Sequence, residues 1–347
     1  MNPDGFLLDP EIVFLNHGSF GACPVEVLDE YRRWQDALER RPVEFLARRL
    51  GERLAEARAS LGSYVGAQAD DLVFVANATA GVNVVARSLR LEPGDEVLTT
   101  DEEYGACRLL WEHLGATLVR RPVEALWEGL SDRTRVLFVS HITSETARVL
   151  PVAEWVARGR AEGLVTVVDG AHAPGQLELD VAAIGADAYV GNCHKWLCAP
   201  KGSAFLWAQP ELQERLESPV VGWGYDDGAT FLSRNERQGT RDPAAQLATP
   251  AAIRWLGRTG GQARCRELAA ECARRLGGAI EPHAPQMVSC GLPPCDAGAL
   301  QRRLLERHAI EVVVGERRKG ALLRASFHVY NDPSDVDRLV DALAVEL

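Results

Sequence analysis

Three short apolar runs crowd into residues 165–207, and they constrain the fold more than any other part of the chain. Residues 165–168 are β-branched and end on Asp169. Residues 186–192 lead into His194 and Lys195, and residues 202–207 form a third run. Each has the length and composition of a strand. In an open α/β sheet, ligands gather outside the carboxyl ends of the strands. Asp169, His172, His194 and Lys195 fall at or just beyond such ends, so one rim carries a carboxyl group, two imidazoles and an amine.

That set suits pyridoxal 5'-phosphate (PLP) chemistry, which uses a Lys to hold the cofactor as a Schiff base and an acid against its pyridine nitrogen. A carboxylate beside that nitrogen favours its protonated form. A Lys in a short loop between apolar runs can be desolvated, which lowers its pKa and frees the amine. Each residue also has a plainer reading: Asp169 could cap a turn, and His172 could be a structural histidine.

Strand and helix patterns alternate along the rest of the chain. Residues 25–64 read as helical, with a second helix starting near 43 and Leu46, Leu50, Leu54, Ala57 and Leu61 on one face. Residues 71–77, 96–100 and 135–141 read as strands, and residues 242–256 as one helix. Further on, helices are expected at 263–276, 298–307 and 334–347, the last capped by D-P-S, and strands at 286–291, 310–314 and 321–327. Residues 14–23 hold two glycines in four residues and read as a loop, and residues 222–243 as a Gly-rich surface loop. The length of 347 residues predicts two domains, divided as an N-terminal segment 1–24, a large domain 25–245 and a small α+β domain 246–347. The strand–turn–helix at N-A-T-A-G-V-N could be an anion site, because a helix N-terminus offers free N–H groups, or an ordinary capped turn.

A net charge of −11 argues against a nucleic-acid partner, which needs a basic face. No apolar stretch is long enough for a membrane span and no signal peptide is evident, so a cytoplasmic protein is expected. The eight cysteines show no C-x-x-C and no metal spacing, so reduced thiols and no metal site are expected.

D-G-A-H-A-P-G (from Asp169) and H-K-W-L-C-A-P-K-G (from His194) resemble the class V aminotransferase family of PLP fold type I, in the family's order and spacing. The resemblance runs from Phe14 to Asn331, and L-N-H-G-S-F-G with Q-G-T-R-D is similar to its isopenicillin N epimerase-like members. It implies an α/β fold: a large domain with a mainly parallel central sheet flanked by helices, plus a smaller α+β C-terminal domain. It implies Lys195 as the Schiff-base lysine and Asp169 as the pyridine partner. Thr79, Ala80, Asn192 and His194 match positions around the phosphate, Tyr104 the position that stacks on the ring, and His172 a position near the ring or its oxygen. Ser144 matches the position contacting the phenolate oxygen, where the desulfurase branch has Asn; Ala147 replaces the family's Gly. Gly239 and Thr240 match an element that reaches a neighbour's phosphate, which implies a homodimer with shared active sites. Asn16, His17 and Arg241 become candidates for substrate contact, and Arg324 in R-A-S-F-H-V-Y-N for the fork that holds the substrate α-carboxylate. Lys201 is read as a surface residue.

The implied activity is at the α-carbon of a small-molecule amino-acid substrate. Lys195 removes the α-proton, and reprotonation on the other face gives epimerisation. Loss of sulfur from the β-carbon gives a C–S lyase, and reprotonation at the cofactor gives an aminotransferase. A non-catalytic PLP-binding relative is the alternative of another class. The family's desulfurases need a Cys in a loop shortly before the R-A-S strand; the segment 308–324 has none and is too short for that loop.

Overall fold

In the computed structural model, which describes residues 5–317 and 320–347, the apolar runs form one large sheet and two small ones. A two-residue strand, β1 (Val13–Phe14), comes first. Then β2 (Leu72–Val75), β3 (Glu96–Thr100), β4 (Thr117–Arg121), β5 (Thr134–Ser140), β6 (Val165–Asp169), β7 (Ala188–Asn192) and β8 (Ala204–Ala208) build a seven-stranded sheet in the order β2-β8-β7-β6-β5-β3-β4. The strands from β7 to β4 are parallel, and β8 runs against both of its neighbours, which leaves β2 pointing with the majority. Six carboxyl ends therefore open on one rim.

Parallel strands covered on both faces must be apolar throughout, and β2, β3, β7 and β8 are buried at every position. Val82 and Val85 of the helix Ala78–Leu89 pack with Trp111 and Phe138 on one face. Leu61, Phe74, Leu137 and Tyr189 fill the other. Each fully buried aliphatic or aromatic side chain contributes about 1.5–3 kcal/mol, so the rim stands on two packed layers.

The second large element of the fold is built from β9 (Met287–Leu292), β10 (Ile310–Glu311), β11 (Val313–Arg317) and β12 (Gly320–Ser326). β11-β12-β9 form an antiparallel sheet, covered by the helices Gln262–Leu276, Ala297–His308 and Pro333–Glu346. The last of these starts on a capping box between Asp332 and Asp335 with Pro333 in its first turn, where a missing N–H costs nothing. β1 pairs with β10 in parallel, and the Ser326 N–H donates to Leu15 O at 2.8 Å. The N-terminal segment is thereby stitched to the C-terminal sheet, while the helix Thr249–Thr259 adds Trp255 and Leu256 to the core under the large sheet.

Five local expectations change, beginning with the loop expected at 222–243, which holds a short helix, Phe231–Glu236, started by a capping box between Thr230 and Ser233. The helix expected from residue 43 begins with a π-helical stretch, Glu44–Arg49, before Leu50–Val65. The extra residue per turn rotates the face, so Phe45 is buried while Leu46 and Leu50 are only half-buried. The single strand expected at 310–314 divides at Val312, with each half in a different sheet. The single helix expected at 242–256 is two, Ala244–Leu247 and Thr249–Thr259. Inside the expected N-terminal loop lies a short helix, His17–Phe20. β4 escaped the sequence reading because it is an edge strand, T-L-V-R-R, with no apolar run. Among the described residues, no helix is long and apolar enough to cross a membrane.

Candidate active site

Five of the six strand ends supply the site, in the order of the sheet. Beyond β2, Asn77 caps the helix Ala78–Leu89; beyond β7 come His194 and Lys195; β6 ends on Asp169 and β5 on Ser140; Tyr104 follows β3. Asn77, Thr79, Tyr104, Ser140, Ser144, Asp169, His172, Asn192, His194 and Lys195 line one cavity of about 320 Å³.

Lys195 lies deep in it. Its Nζ is 2.9 Å from His172 Nε2, and burial, with Arg324 adding to it, lowers its pKa to about 7 against the pull of Asp169 and Cys107. Asp169 is buried beside it; its Oδ1 accepts the Ala171 N–H at 2.9 Å and its Oδ2 faces the Cys107 thiol at 3.6 Å. Burial raises the Asp169 pKa. A cation set against it, such as a protonated ring nitrogen, would reverse that shift. His172 and His194 are both held neutral by burial, His194 with its pKa lowered to about 4. His194 Nδ1 meets Ser203 O at 3.2 Å.

The helix start differs from expectation at Ala80. Its N–H donates to the Asn77 side chain at 2.8 Å, and the Ala78 N–H to Asn192 Oδ1 at 2.8 Å. Ala80 is therefore committed to the cap, and Asn192 fixes the helix on the rim. Among the described residues the Thr79 N–H has no partner, and Thr79 lines the cavity.

Arg324 on β12 is 5% exposed. Its guanidinium donates to the Ser144 carbonyl, to Ser19 Oγ at 2.9 Å and to Asn16 Oδ1 at 3.5 Å. No carboxylate pairs with it among the described residues, its Nε is buried without a partner, and burial lowers its pKa to about 10. A buried cation without a counter-charge is costly unless an anion arrives. Asn16 thus reaches the site through Arg324, whereas Ser19, which was not among the predicted site residues, also lines the cavity itself.

His17 does not contact the cavity, contrary to the expectation for it. It is fully buried, with Nδ1 2.8 Å from Tyr330 Oη, Nε2 3.0 Å from Lys195 O, and its ring stacked on His328 at 4.2 Å. The cause is a close approach at Gly21, where φ is +69° and a Cβ would lie 2.0 Å from His194 O, so the loop passes under the lysine loop. His17, Cys198 and His328 cluster there, but stacked rings aim their lone pairs in nearly parallel planes, and His17 Nε2 is already engaged by Lys195 O. Lys201, read as a surface residue, is exposed but lines the cavity, and its Nζ donates to Gly21 O at 2.9 Å.

Gly239, Thr240 and Arg241 are not brought to this cavity within the chain. Gly239 and Thr240 are exposed, and Arg241 donates to Gln238 Oε1 at 3.1 Å. Trp223, 80% exposed, lies in the same segment.

A desolvated amine beside a buried carboxyl group and a helix start with a free N–H share one rim of the parallel sheet, an arginine with no carboxylate partner stands on β12 of the small sheet, and this set of groups fits PLP. The chain matches the aminotransferase class-V family over residues 22–339 and belongs to it. It is 39% identical to isopenicillin N epimerase of Streptomyces clavuligerus over 97% of this chain and 95% of that protein. It is 31% identical to a probable chloroplastic L-cysteine desulfhydrase of Arabidopsis thaliana, over 96% of this chain and 83% of the relative. The cystine C–S lyase C-DES shares its fold, with a TM-score of 0.85 and 22% identity over 96% of this chain and 98% of that one. The protein is a PLP-dependent class V enzyme.

Proposed function

We propose that the enzyme epimerises the α-carbon of an amino-acid substrate, as the name of its 39%-identical relative describes. The observation that carries this reading is the desolvated Lys195 amine beside Asp169, with Arg324 unpaired nearby. PLP, when bound, withdraws electrons from the substrate α-carbon. Lys195 would hold the cofactor, and as the free amine it takes the α-proton onto Nζ; the C–H bond breaks and an N–H bond forms. Asp169 holds a proton at the ring nitrogen. Thr79, with the helix start behind it, His194 and Asn192 form the anion end of the site. His172 and Ser144 line the same cavity and would hold the cofactor on its oxygen side. Arg324, steadied by Asn16 and Ser19, grips the α-carboxylate in a two-pronged pair. Inversion also needs a proton on the far face, and Tyr104, three strands across the rim from Lys195 and lining the cavity, supplies it as well as stacking on the ring.

The reading does not include persulfide chemistry. Among the described residues no cysteine lines the cavity, seven of the eight are buried, and β11 and β12 pair out to Arg317 and Gly320, with Arg318 and Lys319 between them outside the described residues. The test is proton NMR in deuterated water with amino acids, S-substituted cysteines and their sulfoxides among them. Exchange of the α-proton with inversion and without pyruvate is expected; pyruvate would replace the epimerase by a C–S lyase. Tyr104→Phe should keep α-exchange while inversion falls about 100-fold, the scale of a lost general acid.

A further inference from the structure

Three lysines occur in the chain, at 195, 201 and 319, against 35 arginines (38 Lys+Arg less three). The amine at 195 is thus chemically easy to follow, and its immediate contacts are informative. His172 Nε2 is 2.9 Å from Lys195 Nζ. The other ring nitrogen, Nδ1, accepts from Trp196 Nε1 at 3.3 Å. An indole nitrogen can only donate, so Nδ1 carries no proton. The ring is buried and neutral, so its one proton is on Nε2, pointing at the lysine. Lys195 must then accept, which only the free amine can do.

We infer that Trp196 is a positioning residue that fixes the tautomer of His172 and through it keeps Lys195 an unprotonated base. This rests on the reading of Lys195 as the cofactor-bearing base. The ammonium formed when Lys195 takes a substrate proton faces an N–H donor instead of an acceptor, so it sheds the proton readily and the free base is restored for the next turnover. Other groups face the same amine: Asp169 from β6, Cys107 from the helix Gly105–His113, Arg324 from β12 and His194 from its own loop. Asp169 favours the ammonium and Arg324 opposes it, but neither depends on the indole N–H. Trp196 itself is fully buried, and the backbone holds it close: a Cβ on Gly175 would lie 2.3 Å from the Trp196 carbonyl.

Trp196→Phe leaves an aromatic ring but no donor. His172 can then move its proton to Nδ1, accept from the ammonium at Nε2 and stabilise it. The test follows the rate at which acetic anhydride acylates Lys195 between pH 5 and 11 in the full-length protein freed of cofactor, read by peptide mass. A midpoint near the lowered value is expected for the parent protein, and a midpoint about one pH unit higher for Trp196→Phe, the scale of one charge-assisted hydrogen bond. In His172→Phe, adding Trp196→Phe should move nothing further. An unchanged midpoint in the single variant would overturn the inference. If Trp196→Phe does not fold, ¹⁵N NMR of the parent's histidines decides, with a proton on His172 Nδ1 as the contrary result. Borohydride reduction of the holoenzyme separates the two readings: PLP trapped away from Lys195 undoes the functional reading, whereas PLP on Lys195 with an unmoved midpoint undoes only the role of Trp196.

Discussion

Two regions were assigned to the site from sequence, and the fold treats them oppositely. The rim from β5 to β7 is packed and hydrogen-bonded within one chain: Asp169, His172, Asn192 and Lys195 all have partners there. The segment around Gly239, Thr240 and Arg241 is exposed and points at nothing in its own cavity, beside an exposed Trp223. Chemistry needs groups fixed to within a fraction of an ångström, and only packed strand ends provide that. An exposed loop carrying site residues becomes useful when a second surface covers it. The contrast separates what one chain does alone from what a shared site would add.

The largest effect should come from the packed region. Lys195→Ala should abolish the visible absorption of the bound cofactor and lower α-proton exchange by about 10⁴-fold. Retained exchange would mean that the rim is not the reactive centre. Arg324→Gln should raise KM by about 30-fold, the scale of about 2 kcal/mol for a charged pair, with a smaller effect on kcat. Steady-state kinetics on the natural substrate class would reveal it. Because the Lys195 pKa is lowered to about 7 and the amine is free only in the substrate complex, kcat should climb tenfold per pH unit below 7 and flatten above it. An ordinary lysine would place that rise near pH 10. The smallest effect belongs to the exposed segment. Thr240→Ala should weaken PLP retention about 10-fold if a second copy covers the loop, with the dimer detected by sedimentation, and should change nothing if the chain works alone.

The sequence revealed the centre of the site better than its margins. Asp169 and Lys195 stand out because each ends an apolar run, and runs of that kind become buried parallel strands. Thr79 and Arg324 were legible from their motifs. His17 was not, because its environment is set by Tyr330, 313 positions away, and by the close approach at Gly21. Trp196 was hidden differently: it adjoins Lys195 in sequence, yet its meaning depends on which nitrogen of His172, 24 positions earlier, it meets. β4 and the break at Val312 were lost because edge strands and sheet changes leave little apolar pattern.

Borohydride reduction of the holoenzyme, followed by peptide mass mapping, tests the central assignment most directly. With three lysines in the chain the result is unambiguous. The account predicts a phosphopyridoxyl group on Lys195 alone. The same group on Lys201, or on no lysine, would contradict it.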